Sequence, residues 1–279
     1  MINNLKKLSV KSRINILKTL YNKGGGHIGG ALSIIDFLLT LYSLYLKKNL
    51  ITSKRLYNGN LGNLPYLVFS KGHCYIAQLA ALDSVNNKTK YLDQYLKNDT
   101  FFFGHPKKNI NNKNFLVSSG ALGQGLVFSN GLAFANKLTK KNQSIISIVG
   151  DGEINEGSCT EAFLFASQHK LNHFFIIDNN KQISLGKTSN ILSLGNLNKR
   201  LKSYGLNVIE CNGHDFKDLI KICNLIIKNN KNHNENNSYA IILNTIKGKG
   251  VSFMEGNPKW HSRRFKNNEY ELAIKELIL

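Results

Sequence analysis

Two apolar segments of the chain end in residues that can bind a metal ion. SIISIV (144–149) is followed by GDGE, and HFFII (173–177) is followed by DNNKQ. Asp151 and Asn180 therefore each come directly after a run that has the pattern of a buried strand. If these strands are neighbours, a carboxylate, an amide oxygen and a backbone carbonyl meet at one point, and that ligand set suits Mg²⁺.

The glycines beside Asp151 indicate a phosphate close by. Gly150 and Gly152 let the backbone approach a phosphate, and a helix predicted to begin near Gly157 favours an anion at its N-terminus. GDG and DNN are also common turn sequences, so either one alone fits a purely structural turn. GDG (150–152) and the NN pair (179–180) are separated by 26 residues (153–178), which is the length of one helical crossover.

Four histidines lie in separate motif-like segments. The segments are GGGHIGGALS (24–33), VFSKGHCYIAQLAAL (68–82), FGHP (103–106) and KGKGVSFMEGNPKWH (247–261), and SSGALGQGL (118–126) falls between the last two. A single histidine is most often a hydrogen-bonded structural residue, so no one of these four identifies a site by itself. The other histidines match no motif and are expected to be structural or exposed: His169, His173, His214 and His233.

In this order and spacing the segments resemble the amino-terminal half of transketolase over essentially the whole chain. GDG followed by NN is similar to the signature of thiamine diphosphate enzymes, in which the Asp and Asn hold the metal that binds the cofactor's diphosphate. The pattern GDGE-x-x-EG favours transketolase over deoxyxylulose phosphate synthase, its nearest relative. The ending KGKGVSFMEGNPKWH resembles the short two-chain transketolases in particular.

The resemblance implies catalytic roles for the four histidines. His73 and His261 are expected near the diphosphate and the reacting centre, and His27 and His105 along the channel to the substrate hydroxyls. Neutral imidazoles suit this work, because they donate or accept a hydrogen bond and their pKa lies near working pH.

The resemblance also implies a cofactor and metal site. The Gly120 carbonyl is the expected acceptor for the cofactor's exocyclic amine, with Leu122 against its pyrimidine ring, and the glycines here also fit a helix entry turn. The implied cofactor-binding residues are His73, Gly120, Leu122, Gly150, Asp151, Gly152, Glu156, Asn180 and His261. The implied ligands of Mg²⁺, or of Ca²⁺ or Mn²⁺ in its place, are Asp151, Asn180 and Gln182.

Two further acidic residues have competing interpretations. Glu156 and Glu161 match family positions buried at the subunit interface, where acidic groups couple two active sites. Acidic residues also favour the first turn of a helix, because they complement the positive end of its dipole. For Glu161 both interpretations stay open.

The elements that position these residues have the pattern of an α/β fold. Buried strands are predicted at Ser144–Val149, Phe174–Ile177, Asn207–Glu210 and Tyr239–Asn244, with helices at Cys159–His169 and Asp215–Lys228. Alternating strands and helices predict a doubly wound, mostly parallel sheet with helices on both faces and ligands beyond the carboxyl ends of its strands. No linker divides the chain, so residues 1–279 are expected to form a single domain. Polar tracts at 86–90, 107–114 and 229–237 are expected to be surface insertions.

The net charge, the apolar runs and the cysteines of the chain bear on which classes of function and which location are expected. The net charge of +20 raises nucleic-acid binding as a possibility. Nearly all of that charge is lysine, however, spread along the chain, with only five arginines, so nucleic-acid binding remains a minority interpretation. The longest apolar run, ALSIIDFLLTLYSLYL, has 16 residues and fits a buried helix better than a membrane span. With no secretory segment and four scattered cysteines, we expect reduced thiols and a cytoplasmic location.

The resemblance implies that this chain carries only half of an active site. In the family, the glutamate that activates thiamine and most sugar phosphate-binding groups belong to a second, pyrimidine-binding domain, for which 279 residues leave no room. We therefore expect a separate carboxy-terminal subunit in a two-plus-two assembly. Its apolar interface is expected to use the helices around Gly30–Leu46 and Gly157–His169.

Three positions depart from the family pattern. Ile28 stands where proline is usual, Ser262 where glycine is usual, and Leu185 within SLG where I-D-G is usual. None of them removes a ligand, but they leave open reduced activity.

The leading hypothesis is a transketolase subunit that, with its partner, transfers a two-carbon ketol group between sugar phosphates in the pentose phosphate pathway. One alternative is a subunit of another thiamine diphosphate enzyme, such as a ligase similar to deoxyxylulose phosphate synthase. The other alternative is a decayed, non-catalytic basic binding protein.

Overall fold

The computed structural model describes residues 1–98, 100, 102–141, 143–230 and 238–279. The predicted insertion at 229–237 lies outside the described residues from position 231 onward, and so does His233.

The first 140 residues are mostly helical, and strands and helices alternate after them. The helices are α1 (Ile2–Asn22), α2 (Ile28–Lys47), α3 (Ser53–Tyr57), α4 (Ile76–Val85), α5 (Lys90–Gln94), α6 (Gln124–Leu138), α7 (Gly157–Gln168), α8 (Thr188–Ile191), α9 (Leu197–Ser203), α10 (Phe216–Asn229) and α11 (Glu269–Ile278). The strands are β1 (Tyr66–Phe69), β2 (Ile145–Gly150), β3 (His173–Asn179), β4 (Asn207–Asn212) and β5 (Tyr239–Asn244). Short 3₁₀ turns occupy Gly72–Cys74, Gly152–Asn155 and Pro258–Trp260.

The described strands form one parallel sheet in the order β1-β2-β3-β5-β4. All strands therefore end at the same edge, which is where ligands bind in folds of this kind. The predicted parallel α/β architecture is confirmed.

Two hydrophobic cores cover the two faces of the sheet. Phe174 and Ile176 of β3 point into one core, which includes residues of α1, α2, α4 and α10. Phe175 and Ile177 point into the other, which includes residues of α6, α7 and α9. Successive strand residues face opposite sides, so a continuous apolar run is what a strand covered on both faces requires. The helices lie on both faces, as predicted.

The four predicted strands are all present, with ends shifted by no more than two residues. β1 was not predicted, because its four residues, YLVF, are too short to give a periodic signal and overlap the segment that carries His73. It is an edge strand next to β2. Its carboxyl end delivers Ser70 and Lys71 to the site edge of the sheet.

Helix α2 is a core helix. Within the described part of the chain it is the one helix with the length and hydropathy of a membrane span, and 94% of that apolar window is buried inside the fold. Burial, rather than the shortness of the apolar run, identifies it as a core element. The prediction that Gly30–Leu46 lies at a subunit interface is wrong, because nearly every side chain of α2 is already buried against this chain's own helices and sheet.

The four cysteines are free thiols. Cys74, Cys159 and Cys223 are buried and Cys211 is half-buried, which agrees with the expectation of reduced thiols.

We expect Ile176→Ala to destabilise the fold by about 3 kcal/mol, because Ile176 is fully buried in the central strand and the truncation leaves a cavity. Urea unfolding monitored by circular dichroism measures the change. Ile110→Ala is the matched control, since Ile110 is 83% exposed. A loss at Ile176 no larger than at Ile110 would contradict the assigned core.

Candidate functional site

Asp151 and Asn180 emerge from adjacent strands at the same edge of the sheet. β2 and β3 pair in parallel with Gly150 opposite Asp178. The Gly152 amide donates to Asp151 Oδ1 at 2.8 Å, and the Gln182 amide donates to Asn180 Oδ1 at 3.1 Å. Parallel pairing thus brings these predicted metal ligands to one edge.

Two buried oxygens at this edge have no hydrogen-bond partner among the described residues. They are Asp151 Oδ2 and Gln182 Oε1, and Asp151 is only 2% exposed. Buried polar atoms are almost always paired, so an unpaired carboxylate oxygen beside an unpaired amide oxygen calls for a cation. The three predicted ligands therefore fit a hard divalent metal such as Mg²⁺.

Burial also perturbs the Asp151 carboxyl group electrostatically. Removal from water raises the pKa of Asp151 to about 6, and the nearby Asp178 carboxylate adds to the rise while Lys71 opposes it. The buried Asp151 carboxylate is therefore costly to ionise in the free protein. A bound metal ion supplies the missing positive charge and stabilises the ionised form.

A cavity of about 380 Å³ lies beside Asp151. Its wall combines charged, imidazole and apolar groups and includes Lys71, His73, Leu122, Gly152, Gln182, Lys247 and His261. Gly152 must be glycine, because a Cβ there would lie 2.2 Å from Ile183 Cγ2. The volume and the mixture of apolar and charged groups suit an anionic cofactor.

Two buried lysines face this cavity, and they differ in their partners. Lys71 forms an ion pair with Asp178 at 2.6 Å, which raises its pKa even though burial opposes the charge. Lys247 has no carboxylate partner among the described residues; its ammonium lies 3.0 Å from His261 Nδ1 and donates to the Ile183 carbonyl at 3.1 Å. Burial and repulsion from Lys71 lower the pKa of Lys247 to about 8. Lys247 is therefore the cation with which an anion in the cavity can pair.

The four predicted histidines converge. The ring centroid of His27 lies 5.2 Å from that of His73, 5.7 Å from that of His105 and 5.4 Å from that of His261. The His73 and His261 rings are 4.9 Å apart, and both line the cavity. Within the described residues, no group of three His, Cys, Asp or Glu side chains is placed to hold a metal. The four imidazoles form one cluster.

All four imidazoles are held neutral. Burial, with repulsion from His105 and Lys247, lowers the pKa of His27 to about 4. Burial and Lys247 lower the pKa of His261 to about 3. Burial lowers the pKa of His105, and burial together with Lys71 lowers the pKa of His73. The cluster can therefore donate and accept hydrogen bonds at neutral pH without adding positive charge.

A glutamate that sequence reasoning did not single out joins two turns of the site. Glu153 is 3% exposed and accepts hydrogen bonds from the Gly123 amide at 2.8 Å and the Gly150 amide at 3.0 Å. Its Oε1 also accepts from the Ser70 hydroxyl. Glu153 thus ties the SGALGQG turn to the GDG turn. The signal was present as an acid inside GDGE, but two of its partners, Ser70 and Gly123, are distant in sequence.

The remaining predicted cofactor residues lie at the rim of the site. Gly120 is exposed beside the His105 ring, and Leu122 is 43% exposed where it lines the cavity. Glu156 borders the same cavity and is exposed, and Glu161 is exposed on α7. These four residues face outward in the isolated chain.

The three departures from the family pattern leave the cavity wall intact. Ile28 is fully buried at the start of α2, whereas Leu185 is 77% exposed and Ser262 is exposed. None of them is among the residues that line the cavity.

Comparison with known proteins identifies the family. The model described as "Transketolase, thiamine diphosphate binding domain" matches residues 6–277. The chain belongs to the transketolase family. It is a thiamine diphosphate-binding chain of a transferase, and the sequence-based identification is confirmed.

Several curated transketolase subunits resemble the chain over almost their whole length. An apulose-4-phosphate transketolase subunit of Actinobacillus succinogenes is 34% identical over 282 residues, which cover 98% of this chain and 94% of that one. The subunit of the same name from Phocaeicola vulgatus is 32% identical, covering 99% and 94%. The 6-deoxy-6-sulfo-D-fructose transketolase subunit SqwG of a Clostridium species is 30% identical, covering 94% and 91%. Each of these relatives is named as a subunit of a transketolase.

Solved transketolases have the same fold. The enzyme from Campylobacter jejuni superposes with a TM-score of 0.80 at 25% identity, covering 100% of this chain and 43% of that one. The enzyme from Leishmania mexicana also gives 0.80, at 22% identity, covering 98% and 41%. The chain spans less than half the length of these solved transketolases.

We expect Asp151→Asn to stabilise the metal-free transketolase chain by about 1–3 kcal/mol, because it removes an unpaired buried charge. The same variant should lose the rise in Tm that Mg²⁺ with thiamine diphosphate gives the wild type. Differential scanning fluorimetry with and without both ligands measures the two effects. Glu271→Gln, at an exposed site on α11, is the control. Equal ligand-induced shifts in the Asp151 variant and the wild type would disprove the metal assignment.

The neutral histidines should make the fold sensitive to acid. Below pH 6.5 the unfolded chain binds protons at His27 and His261, whereas the folded chain does not until pH about 4 and 3. The free energy of unfolding should therefore fall as pH decreases from 6.5 to 4.5. Replacing His261 with glutamine should reduce that slope by up to one proton, measured by urea titration at several pH values. An unchanged slope would show that His261 is not held neutral.

Proposed function

We propose that this chain is the metal- and cofactor-binding subunit of a two-chain transketolase. With a partner chain it transfers a two-carbon ketol group between phosphosugars. The observation that carries the proposal is the buried Asp151 carboxylate, whose Oδ2 has no hydrogen-bond partner among the described residues, at a cavity that also holds the Lys247 ammonium and neutral imidazoles. A metal–diphosphate group complements those charges, since the metal meets the carboxylate and the diphosphate meets the ammonium.

The residues divide between holding the cofactor and serving the substrate. Asp151, Asn180 and Gln182 would hold Mg²⁺, while Gly152 and Lys247 would bind the diphosphate. When bound, thiamine diphosphate supplies the electron sink that stabilises the two-carbon fragment. The protein's own contribution is to orient that group and to exclude water from it.

The imidazoles serve the hydroxyl groups of the sugar. His73 and His261 line the cofactor cavity, and His27 and His105 extend the cluster away from it. A neutral imidazole accepts a proton from one hydroxyl and donates a hydrogen bond to another. Because all four pKa values are lowered, the cluster stays in this form through the physiological pH range.

An exposed apolar face fits the carboxy-terminal partner subunit. It comprises five side chains that are 38–48% exposed, on α6, on α7 and in the turn before α6: Leu122, Val127, Phe128, Leu164 and Phe165. Exposed apolar patches of this kind mark interaction surfaces. Leu122 belongs both to this face and to the cavity wall, so a partner bound here also closes the cofactor site. We propose a two-plus-two assembly in the cytoplasm.

The substrate is proposed as a ketose that carries a phosphate or a sulfonate. Similar chains are named for apulose 4-phosphate and for 6-deoxy-6-sulfo-D-fructose, and a role in the pentose phosphate pathway is the expectation from sequence. Neutral hydrogen-bonding side chains recognise hydroxyl groups common to all these sugars, so the terminal anion is left to the partner subunit.

The test is a reconstituted assay. The chain is purified from its own cells with its partner, loaded with Mg²⁺ and thiamine diphosphate, and offered four donors: xylulose 5-phosphate, apulose 4-phosphate, 6-deoxy-6-sulfofructose and pyruvate. We expect ketol transfer from a sugar donor, lost in Asp151→Ala. Turnover of pyruvate alone would favour a ligase similar to deoxyxylulose phosphate synthase. Salt-sensitive nucleic-acid binding without thiamine would favour the basic binding protein.

The apolar face gives a separate prediction. Phe128→Glu should abolish co-purification of the partner, because it introduces a charge into a surface that must be desolvated on binding. Leu138→Glu is the matched control on the same helix, since Leu138 is 67% exposed near its far end. Gel filtration of the reconstituted complex measures both. Loss of the complex in both variants, or in neither, would disprove the assignment of this face.

A further inference from the structure

A buried cluster of charged groups lies against α2, outside the cavity wall. At its centre is Asp36, which is 3% exposed. Its carboxylate accepts two hydrogen bonds from Arg13, at 2.9 and 2.8 Å, one from Ser9 at 2.6 Å and one from the His214 ring at 2.8 Å. These contacts, led by the charge of Arg13, hold the pKa of Asp36 well below its usual range despite burial.

The cluster forms hydrogen bonds with the backbone at both ends of the short segment 246–249. His214 binds Asp36 through Nδ1, and its Nε2 accepts a hydrogen bond from the Ile246 amide at 2.9 Å. Because Nε2 accepts, the ring is in the tautomer that carries its proton on Nδ1. At the other end, Arg13 Nε donates to the Lys249 carbonyl at 2.8 Å.

Between these two anchors lies Lys247, whose ammonium faces the cofactor cavity. The Gly248 amide donates to the Gly29 carbonyl at 2.9 Å, which fixes the middle of the segment against the start of α2. The Lys247 stem lies directly on Gly29, where a Cβ would come within 2.8 Å of Lys247 Cγ. Hydrogen bonds therefore hold the backbone on both sides of Lys247, whose side chain extends into the cavity.

The small net contribution of a buried ion pair to stability indicates that this cluster serves another purpose. Burying an Arg–Asp pair contributes little net stability compared with apolar packing, and its attested value is in fixing one geometry. A cation used for ligand binding needs such fixing, since Lys247 has no carboxylate among the described residues to hold it in place.

We propose that His214, together with Arg13, is a positioning residue that fixes residues 246–249 and thereby aims the Lys247 ammonium at the diphosphate-binding end of the cavity; Asp36 joins the two. This inference rests on the proposed function for the identity of the ligand. The geometry of the segment itself does not depend on that identity.

Two substitutions of His214 separate positioning from simple packing. In His214→Asn, the side-chain amide can occupy the place of Nδ1 and keep the bond to Asp36, but it cannot reach Ile246. In His214→Gln, the side-chain oxygen can occupy the place of Nε2 and keep the acceptor for the Ile246 amide. The first variant cuts the link to the Lys247 segment, and the second preserves it.

The first measurement needs no ligand. Hydrogen–deuterium exchange of the full chain should show the Ile246 amide exchanging at least tenfold faster in His214→Asn than in the wild type, and close to the wild-type rate in His214→Gln. Protection of Ile246 that is equal in all three proteins would overturn the proposal.

The second measurement is the dissociation constant of thiamine diphosphate with Mg²⁺, by isothermal titration calorimetry. His214→Asn should weaken binding about tenfold, equivalent to about 1.4 kcal/mol, and His214→Gln should bind nearly as the wild type does. Lys247→Met should weaken binding at least as much, and adding His214→Asn to it should weaken binding no further, because both changes act on the same ammonium.

The outcomes are distinguishable. Additive losses in the double variant, or equal losses in both His214 variants together with a lower Tm, would assign the cluster a structural role only and overturn the positioning proposal. If the wild type binds no thiamine diphosphate, the proposed function fails, while the exchange rates still decide whether the cluster fixes the segment.

Discussion

The carboxylate of Asp178 joins the chain segments from which the candidate site is built. It stands near the end of the central strand β3 and binds Lys71, which follows β1, at 2.6 Å. The Ser33 hydroxyl of α2 donates to it at 2.5 Å, and the Thr245 hydroxyl after β5 donates to its other oxygen. Breaking such a buried pair by removing one member typically costs about 3–5 kcal/mol. The same carboxylate therefore holds the strand ends together and neutralises Lys71. Asp151 and Lys247 remain as the groups that a metal and an anion can satisfy.

Much of this arrangement could be predicted from the sequence because it depends on the order of strands and turns. The apolar runs before GDG and DNN predict two buried strands, and parallel pairing brings the residues after them to one edge. The convergence of His27, His73, His105 and His261 was implied by the resemblance to transketolase, although no local pattern indicates how close the rings are. The neutral state of the rings was expected, but its cause, burial beside Lys71 and Lys247, exists only in the folded chain.

The features that sequence reasoning missed depend on partners distant along the chain. Glu153 and Lys71 look like ordinary charged residues until their partners at Gly123 and Asp178 are known. Helix α2 was expected at an interface because it is apolar, yet a helix that is apolar on every side is a core helix, and α2 is buried in this chain. His214 matched no motif that had an assigned role. Its contacts join α2 to the segment after β5, elements that are far apart in sequence.

The exposed residues at the rim of the cavity show why the site needs a further surface to enclose it. The edge of the sheet that carries the predicted metal ligands is shielded from water: Asp151, Glu153 and Lys247 are each no more than 3% exposed. At the opposite rim, Leu122 is 43% exposed and continues into the apolar face of α6 and α7. Asp151 and Lys247 would hold the metal and the diphosphate of the proposed cofactor among buried groups, whereas Leu122 would contact the cofactor at an exposed rim. Electrostatic stabilisation is strong only where water is excluded, so the reacting end needs a second surface to cover it. Covering the apolar face is the role proposed for the partner subunit.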